Sequence, residues 1–226
     1  MSDLIGLVAS VDAILLDFDG PVCHLFAGYS ASIIAEELRA YLVGEGSALD
    51  ERAKSTSDPL ALLQWTSRHR PELLGPFEQL EDAAEYAAAE TAKPTEHAAD
   101  VIDLAIEAGR RVAIVSNNSR AAIERYLELQ GLSSKVTTIV SRITGHPELM
   151  KPNPRPLIEA AENLGTPVEA CVLVGDSVSD ITAAGNAGAR SIGYAKNPSR
   201  ADELSAAGAE FVVSSMGELA VILRRS

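Results

Sequence analysis

Positive charge is scarce in this chain. Nineteen Lys and Arg stand against 32 Asp and Glu, a net charge of −13 over 226 residues. A surface of that sign repels polyanions, so general binding to nucleic acid or to an anionic membrane is not expected. Aromatic residues make up only 4%. Much of the apolar content comes instead from Ala-rich stretches such as Ala83 to Ala92, which favour helix more than they supply bulky core. Cysteine is limited to Cys23 and Cys171, with no spacing that suits a metal site. Each is expected to behave as a small buried hydrophobe; Cys23, just after an acidic turn, is also a candidate site-lining thiol. No apolar run approaches bilayer-spanning length, and the first residues carry Asp3 but no Lys or Arg, unlike a signal peptide. A reduced, cytoplasmic setting is the expectation. Internal repeats and low-complexity tracts are lacking as well.

What is present is organised around Ala13-Ile14-Leu15-Leu16-Asp17-Phe18-Asp19-Gly20-Pro21. A short apolar run bounded by a turn reads as a strand buried on both faces, and this one ends in two aspartates. Side chains two apart on a strand share a face, so Asp17 and Asp19 point the same way. Like charges that close repel unless they share a cation or a proton. Mg2+ suits such a pair, because it takes hard oxygen ligands and commonly binds one or two carboxylates plus substrate phosphate. The same Asp-x-Asp-Gly string also occurs in calcium loops and plain turns, so the rest of the chain must decide.

After a loop at Val22 to Gly28, Ser30 caps a helical pattern running to about Val43. A polar, turn-rich stretch, Gly44 to Ser57, precedes helical patterns at Pro59 to Arg68 and Pro76 to Ala92. Nothing here reads as a strand, which predicts an all-helical insert over Ala27 to Ala92. From Lys93 onward helices and strands alternate, with strands at 111–115, 136–140, 171–174, 191–194 and 211–213. That alternation implies βαβ units and a parallel sheet with covered faces.

Other strands end in chemically capable residues. Arg111 to Val115 runs into Ser116-Asn117-Asn118-Ser119 at a helix start, which serves equally as a cap or as an anion site. Val172 to Val174 runs into Gly175-Asp176, with Asp180 one helical turn later; these two can face one point, or simply complement the helix dipole. Lys151, followed by Pro152-Asn153-Pro154, sits on an irregular backbone that would hold its ammonium in one place.

Taken in order, Asp17-x-Asp19-Gly20, Ser116 at a strand end, Lys151-Pro152 and Gly175-Asp176-x-x-x-Asp180 form a pattern that resembles the haloacid dehalogenase-like superfamily, over nearly the whole chain. The resemblance implies an α/β fold: a Rossmann-like parallel sheet core with helices on both faces, plus a small all-helical cap inserted after the first strand. Residues 1–26 and 93–226 would form the core and 27–92 the cap. It further implies a Mg2+-dependent phosphatase, similar to phosphoglycolate phosphatase-like enzymes, acting on a small phosphorylated metabolite as a monomer or homodimer.

By the same resemblance Asp17 is the nucleophile that forms an aspartyl-phosphate, and Asp19 the general acid and base. Asp19 also separates this chain from the dehalogenase branch, which lacks aspartate there. Mg2+ would be held by the Asp17 carboxylate, the Asp19 carbonyl and the Asp176 carboxylate, with Asp180 acting through water or from behind. Ser116 and the Asn117 amide would bind phosphoryl oxygens, and Lys151 would offset charge on nucleophile and phosphoryl group. Pro21 stiffens the flap where many relatives carry Thr or Val. His24 and Phe26 in the flap and Arg68, His69 and Arg70 on the cap are candidate leaving-group contacts. A phosphosugar mutase of the β-phosphoglucomutase kind would keep the same aspartates, and a non-catalytic phosphate-ligand module would keep the fold. A phosphonatase would need a cap lysine for a Schiff base, and Lys54, in a polar linker, is the only lysine well inside the insert.

Overall fold

The computed structural model describes residues 2–225. Helix α1 (Ser2–Ala9) leads into strand β1 (Ala13–Leu16), and a short strand β2 (Cys23–His24) follows the acidic turn. Four helices come next, α2 (Ala31–Gly44), α3 (Glu51–Ser55), α4 (Pro59–His69) and α5 (Leu74–Thr91), before β3 (Lys93–Pro94). Thereafter helix and strand alternate through α6 (Ala98–Glu107), β4 (Arg111–Val115), α7 (Arg120–Leu129), β5 (Thr138–Val140), α8 (Arg155–Leu164) and β6 (Cys171–Gly175). The chain finishes with α9 (Val178–Ala187), β7 (Arg190–Tyr194), α10 (Pro198–Ala206), β8 (Phe211–Val213) and α11 (Met216–Leu223).

The main sheet has the order β5-β4-β1-β6-β7-β8, with every neighbouring pair parallel. The chain leaves β1 toward β4 and β5 on one side, then crosses to β6 and builds outward on the other. A crevice therefore opens at the carboxyl ends of β1, β4 and β6, where ligands bind in open parallel sheets. Alternation along the strands buries both faces. Ile14, Leu16, Val112, Ile114, Val172 and Val174 enter one core cluster, and Ala13, Leu15, Ala113, Val115 and Leu173 the other. Each fully buried Leu, Ile or Val contributes roughly 1.5–3 kcal/mol, so the strands hold their register and the first charged residue must fall at the rim.

The insert is all-helical, as its sequence pattern predicts. Its helices pack on one another through Ile34, Leu38, Leu42, Leu62, Leu63 and Phe77, and α5 also lies along the core helix α7. At the root of the insert β2 and β3 pair antiparallel, Cys23 with Pro94 and His24 with Lys93. No helix is long and apolar enough to cross a membrane among the described residues.

Local expectations are revised at four places. Helix α1 precedes the first strand and packs on α11. The stretch 22–28 is ordered by burial of Cys23 and Leu25 into β2 and a 3-10 turn. In the polar stretch 44–57, the Asp50 carboxylate accepts from the Ala53 amide at 2.8 Å and starts α3. Helix α5 begins at Leu74, because Pro76 lies in the first turn, where no intrahelical N–H is needed.

Candidate active site

Asp17 follows directly on β1, and its backbone amide still bonds to the Val174 carbonyl of β6. Its side chain therefore emerges between the ends of the two central strands. Lys151 arrives from the loop before α8 and is 3% exposed. Its ammonium donates to Asp17 Oδ1 at 2.8 Å and to the Val115 carbonyl at 2.8 Å, and lies 2.6 Å from Asp180 Oδ1. Two hydrogen bonds and the adjacent Asp180 charge thus offset the cost of burying the ammonium. Burial opposes the ammonium, but Asp17 and then Asp180 outweigh it and hold Lys151 above its ordinary pKa.

Asp180 has both of the roles its sequence position suggests. One carboxylate oxygen accepts from the Ser177 amide at 3.0 Å and the Ser177 hydroxyl at 2.7 Å, closing a capping box at the start of α9. The other faces Lys151. Gly175 makes room for this, since a Cβ there would collide with the Asp180 side chain. Gly20 does the same for Asp176: its φ is +124°, and a Cβ would stand 2.5 Å from Asp176 Oδ2. Asp17, Asp176 and Asp180 together offer ligand oxygens within 4.8 Å of one another. This hard-oxygen set fits a divalent cation such as Mg2+. Burial and then the Asp180 charge push Asp17 up to about 8 and Asp176 up to about 6. Carboxylates crowded and buried in this way favour a shared proton or cation over full ionisation.

Asp19 occupies the turn itself. Its Oδ1 accepts from the Leu25 amide at 2.9 Å, which orients it, while burial raises its pKa. At the end of β4, Ser116 Oγ donates to Asn118 Oδ1 at 3.0 Å. Asn117 is tied to the lysine loop in both directions: its Oδ1 accepts from the Lys151 amide at 2.9 Å and its Nδ2 donates to the Lys151 carbonyl at 3.2 Å. Helix α7 has no capping bond from its own Ser119. The free Ser119 amide is instead taken by the Glu85 carboxylate of α5, at 2.7 Å. The anion that the helix start favours is supplied at that amide by the protein.

Asp17, Asp19, Ser116, Asn117, Lys151, Asp176 and Asp180 all line one cavity of about 480 Å3. The other candidates divide. Phe26 lines this cavity, whereas His24 Nδ1 lies 3.1 Å from Lys196 Nζ outside it. His69 stacks on Trp65 at 4.8 Å, Arg70 is held by Glu72 and Ser47, and Arg68 faces a separate groove beside Pro147 and Met150. These three sit at the far end of α4. The near end, together with α3, contributes Arg52, Ser57, Asp58 and Gln64 to the cavity. Arg52, Asp58 and Glu85 are thus the charged cavity residues that motif reading passes over. Alternating acidic residues at Glu78, Glu81, Asp82 and Glu85, three or four apart, were the available signal that one face of α5 meets a cation. Cys23 is buried outside the cavity with its thiol pushed well above the ordinary range by burial, so it is packing.

The chain belongs to the haloacid dehalogenase-like hydrolases, whose family pattern matches residues 11–188. Two curated relatives illustrate the range. Pyrophosphatase PpaX of Bacillus velezensis is 30% identical over 121 residues, 53% of this chain and 55% of that protein. Phosphoglycolate phosphatase of Colwellia psychrerythraea is 30% identical over 118 residues, 52% and 51% of the two. The chain thus spans about half the length of the curated relatives it matches. A solved HAD family hydrolase from Deinococcus radiodurans R1, with bound phosphate and sodium, aligns at a TM-score of 0.61 and 27% identity. That match covers 95% of this chain and 98% of the other.

Proposed function

We propose that this protein is a Mg2+-dependent phosphatase that hydrolyses a small-molecule phosphomonoester through an aspartyl-phosphate on Asp17. The observation that carries the reading is the buried Lys151 ammonium clamped between Asp17 and Asp180 at the floor of the cavity. A lysine there counters charge on an attacking carboxylate and on a phosphoryl oxygen, which is most of what phosphoryl transfer asks of a protein. The Asp17 and Asp176 carboxylates and the Asp19 carbonyl would hold the metal, with Asp180 behind them. When bound, the cation neutralises this acidic floor and lets an anion approach.

In the first step an Asp17 oxygen bonds to phosphorus and the bond to the leaving oxygen breaks, while Asp19 gives that oxygen its proton. Burial raises the Asp19 pKa, which favours the protonated form this step requires. In the second step Asp19 takes a proton from water, the water oxygen bonds to phosphorus, and the acyl-phosphate bond to Asp17 breaks. Ser116 Oγ and the Asn117 amide hold the phosphoryl oxygens. The two relatives' names denote substrates with a second anionic group beside the phosphoryl centre. The Arg52 guanidinium makes no ion pair among the described residues and faces the same cavity, so it is assigned to that group.

The division into a core of residues 1–26 and 93–226 and a cap of residues 27–92 belongs to the same reading, with the β2–β3 ribbon as the joint. The test is a panel of phosphometabolites with and without MgCl2, run beside Asp17→Asn. Release of free phosphate that depends on the metal and vanishes in the folded variant is the expected result. Equal release from both proteins, or an isomerised sugar phosphate as product, sinks the proposal.

A further inference from the structure

Glu85 is 1% exposed, yet it reaches the cavity wall from the middle of α5. Both its oxygens are engaged with the core. Oε1 accepts from Asn118 Nδ2 at 2.8 Å and Oε2 from the Ser119 amide at 2.7 Å, and Arg142 adds bonds to each at 3.3 and 3.2 Å. Arg142, on the loop after β5, also donates through Nη1 to the Asn117 carbonyl at 2.8 Å, and its backbone amide bonds to the Asn118 carbonyl at 3.2 Å. Asn118 in turn accepts from Ser116 Oγ. The loop of residues 116–119 is therefore gripped from outside by one carboxylate of the insert and one guanidinium of the core.

Stability alone does not account for this grip. Glu81 and Asp82 crowd the same guanidinium, at 3.7 and 2.5 Å, and neither Glu81 oxygen has a hydrogen-bond partner. Three carboxylates around one arginine carry a desolvation cost that apolar packing would avoid. What the charges do achieve is direction: Glu85 and Arg142 hold each other and between them place four bonds on Asn117, Asn118 and Ser119, in the loop that presents Ser116 Oγ and the Asn117 amide to the cavity. Charge-assisted bonds of this kind fix geometry to a fraction of an ångström.

We infer that Glu85 and Arg142 are positioning residues, through which the helical insert sets the shape of the Ser116–Asn118 loop. The inference rests on reading that loop as the phosphoryl-oxygen holder. The test compares wild type with Glu85→Ala and Glu85→Gln as full chains in MgCl2, by amide hydrogen exchange and by calorimetric binding of inorganic phosphate. In Glu85→Ala, exchange over residues 116–119 is expected to speed up about tenfold or more while β4 is unchanged, as loss of charge-assisted bonds implies. Phosphate binding should weaken by about the same factor, with Glu85→Gln intermediate because its amide oxygen still accepts from Ser119. Should Glu85→Ala fail to fold, Glu85→Gln carries both measurements. Loop exchange within about twofold of wild type in the folded variants overturns the inference. Faster loop exchange in a protein whose wild type binds no phosphate instead overturns the phosphatase reading and leaves the positioning intact.

Discussion

Replacing Lys151 by methionine tests the charge arrangement directly, without relying on any substrate. Methionine keeps much of the length and removes the cation, leaving Asp17 and Asp180 facing each other and the Val115 carbonyl without its donor. Removing one partner of a buried ion pair costs about 3–5 kcal/mol, because the remaining charge stays desolvated. For a chain of 226 residues the entropy of unfolding converts 1 kcal/mol to about 2 °C, so the melting temperature should fall by roughly 6–10 °C. Proton uptake by Asp17, already pushed up to about 8, limits the loss toward the lower figure. The assay is thermal unfolding by calorimetry in EDTA, repeated in millimolar MgCl2. A divalent ion in the cluster of Asp17, Asp176 and Asp180 should replace part of the missing charge, so MgCl2 should raise the variant's melting temperature more than that of wild type. A variant within about 2 °C of wild type in EDTA would refute the reasoning, and so would a gap that MgCl2 leaves untouched.

Gly20→Ala combines a φ of +124° with a collision against Asp176, so a loss of about 1–3 kcal/mol and a smaller Mg2+-induced shift in melting temperature are expected. Glu81 is pushed up to about 8, chiefly by burial, from an unfolded value of 4.5, so the folded state holds a proton that the unfolded chain releases between those values. Stability from this group is full below the lower value and is lost as pH rises through the upper one. Glu81→Gln should therefore raise the melting temperature more at about pH 8.5 than at about pH 5, and an equal effect at both would contradict the assignment. Cys23 and Cys171 should resist alkylation by iodoacetamide in the native protein and react once it is unfolded, as mass spectrometry of each state would show.

The parts of the site that could be read from the chain alone are those where local and tertiary structure have the same cause. A strand buried on both faces must end where charge begins, so Asp17 and Asp176 mark the sheet's carboxyl edge in sequence as clearly as in space. Lys151 was legible through the motif order, not through its own surroundings. Glu85 was legible only as one member of an acidic helix face; its partner Arg142, fifty-seven residues later, is a contact that nothing local specifies. Arg52 escaped for a different reason. Its segment is polar and turn-rich, and the five-residue helix α3 that aims it depends on one cap, Asp50, which is itself held by Trp65 Nε1 at 3.0 Å. Arg68, His69 and Arg70 were misplaced because all three cluster at the carboxyl end of α4, and sequence does not say which end of that helix overhangs the sheet.

The remaining difficulty is one of charge. Asp17, Asp19, Asp58, Glu85, Asp176 and Asp180 line the cavity against two cations, Arg52 and Lys151, in a chain already at −13. Glu85 is balanced by Arg142 behind the wall, yet the floor still opposes a phosphate dianion. Burial raises the pKa of both Asp17 and Asp19, which lessens this charge, and in the proposed reaction a bound cation would both admit the anion and keep the Asp17 carboxylate ionised. Binding of inorganic phosphate should consequently be at least about tenfold weaker in EDTA than in MgCl2, since one unscreened like-charge contact at a few ångströms costs more than the 1.4 kcal/mol that factor represents. Calorimetric titration under the two conditions decides it: equal affinities would mean that Lys151 and Arg52 suffice, and that the acidic floor was built for something other than a metal.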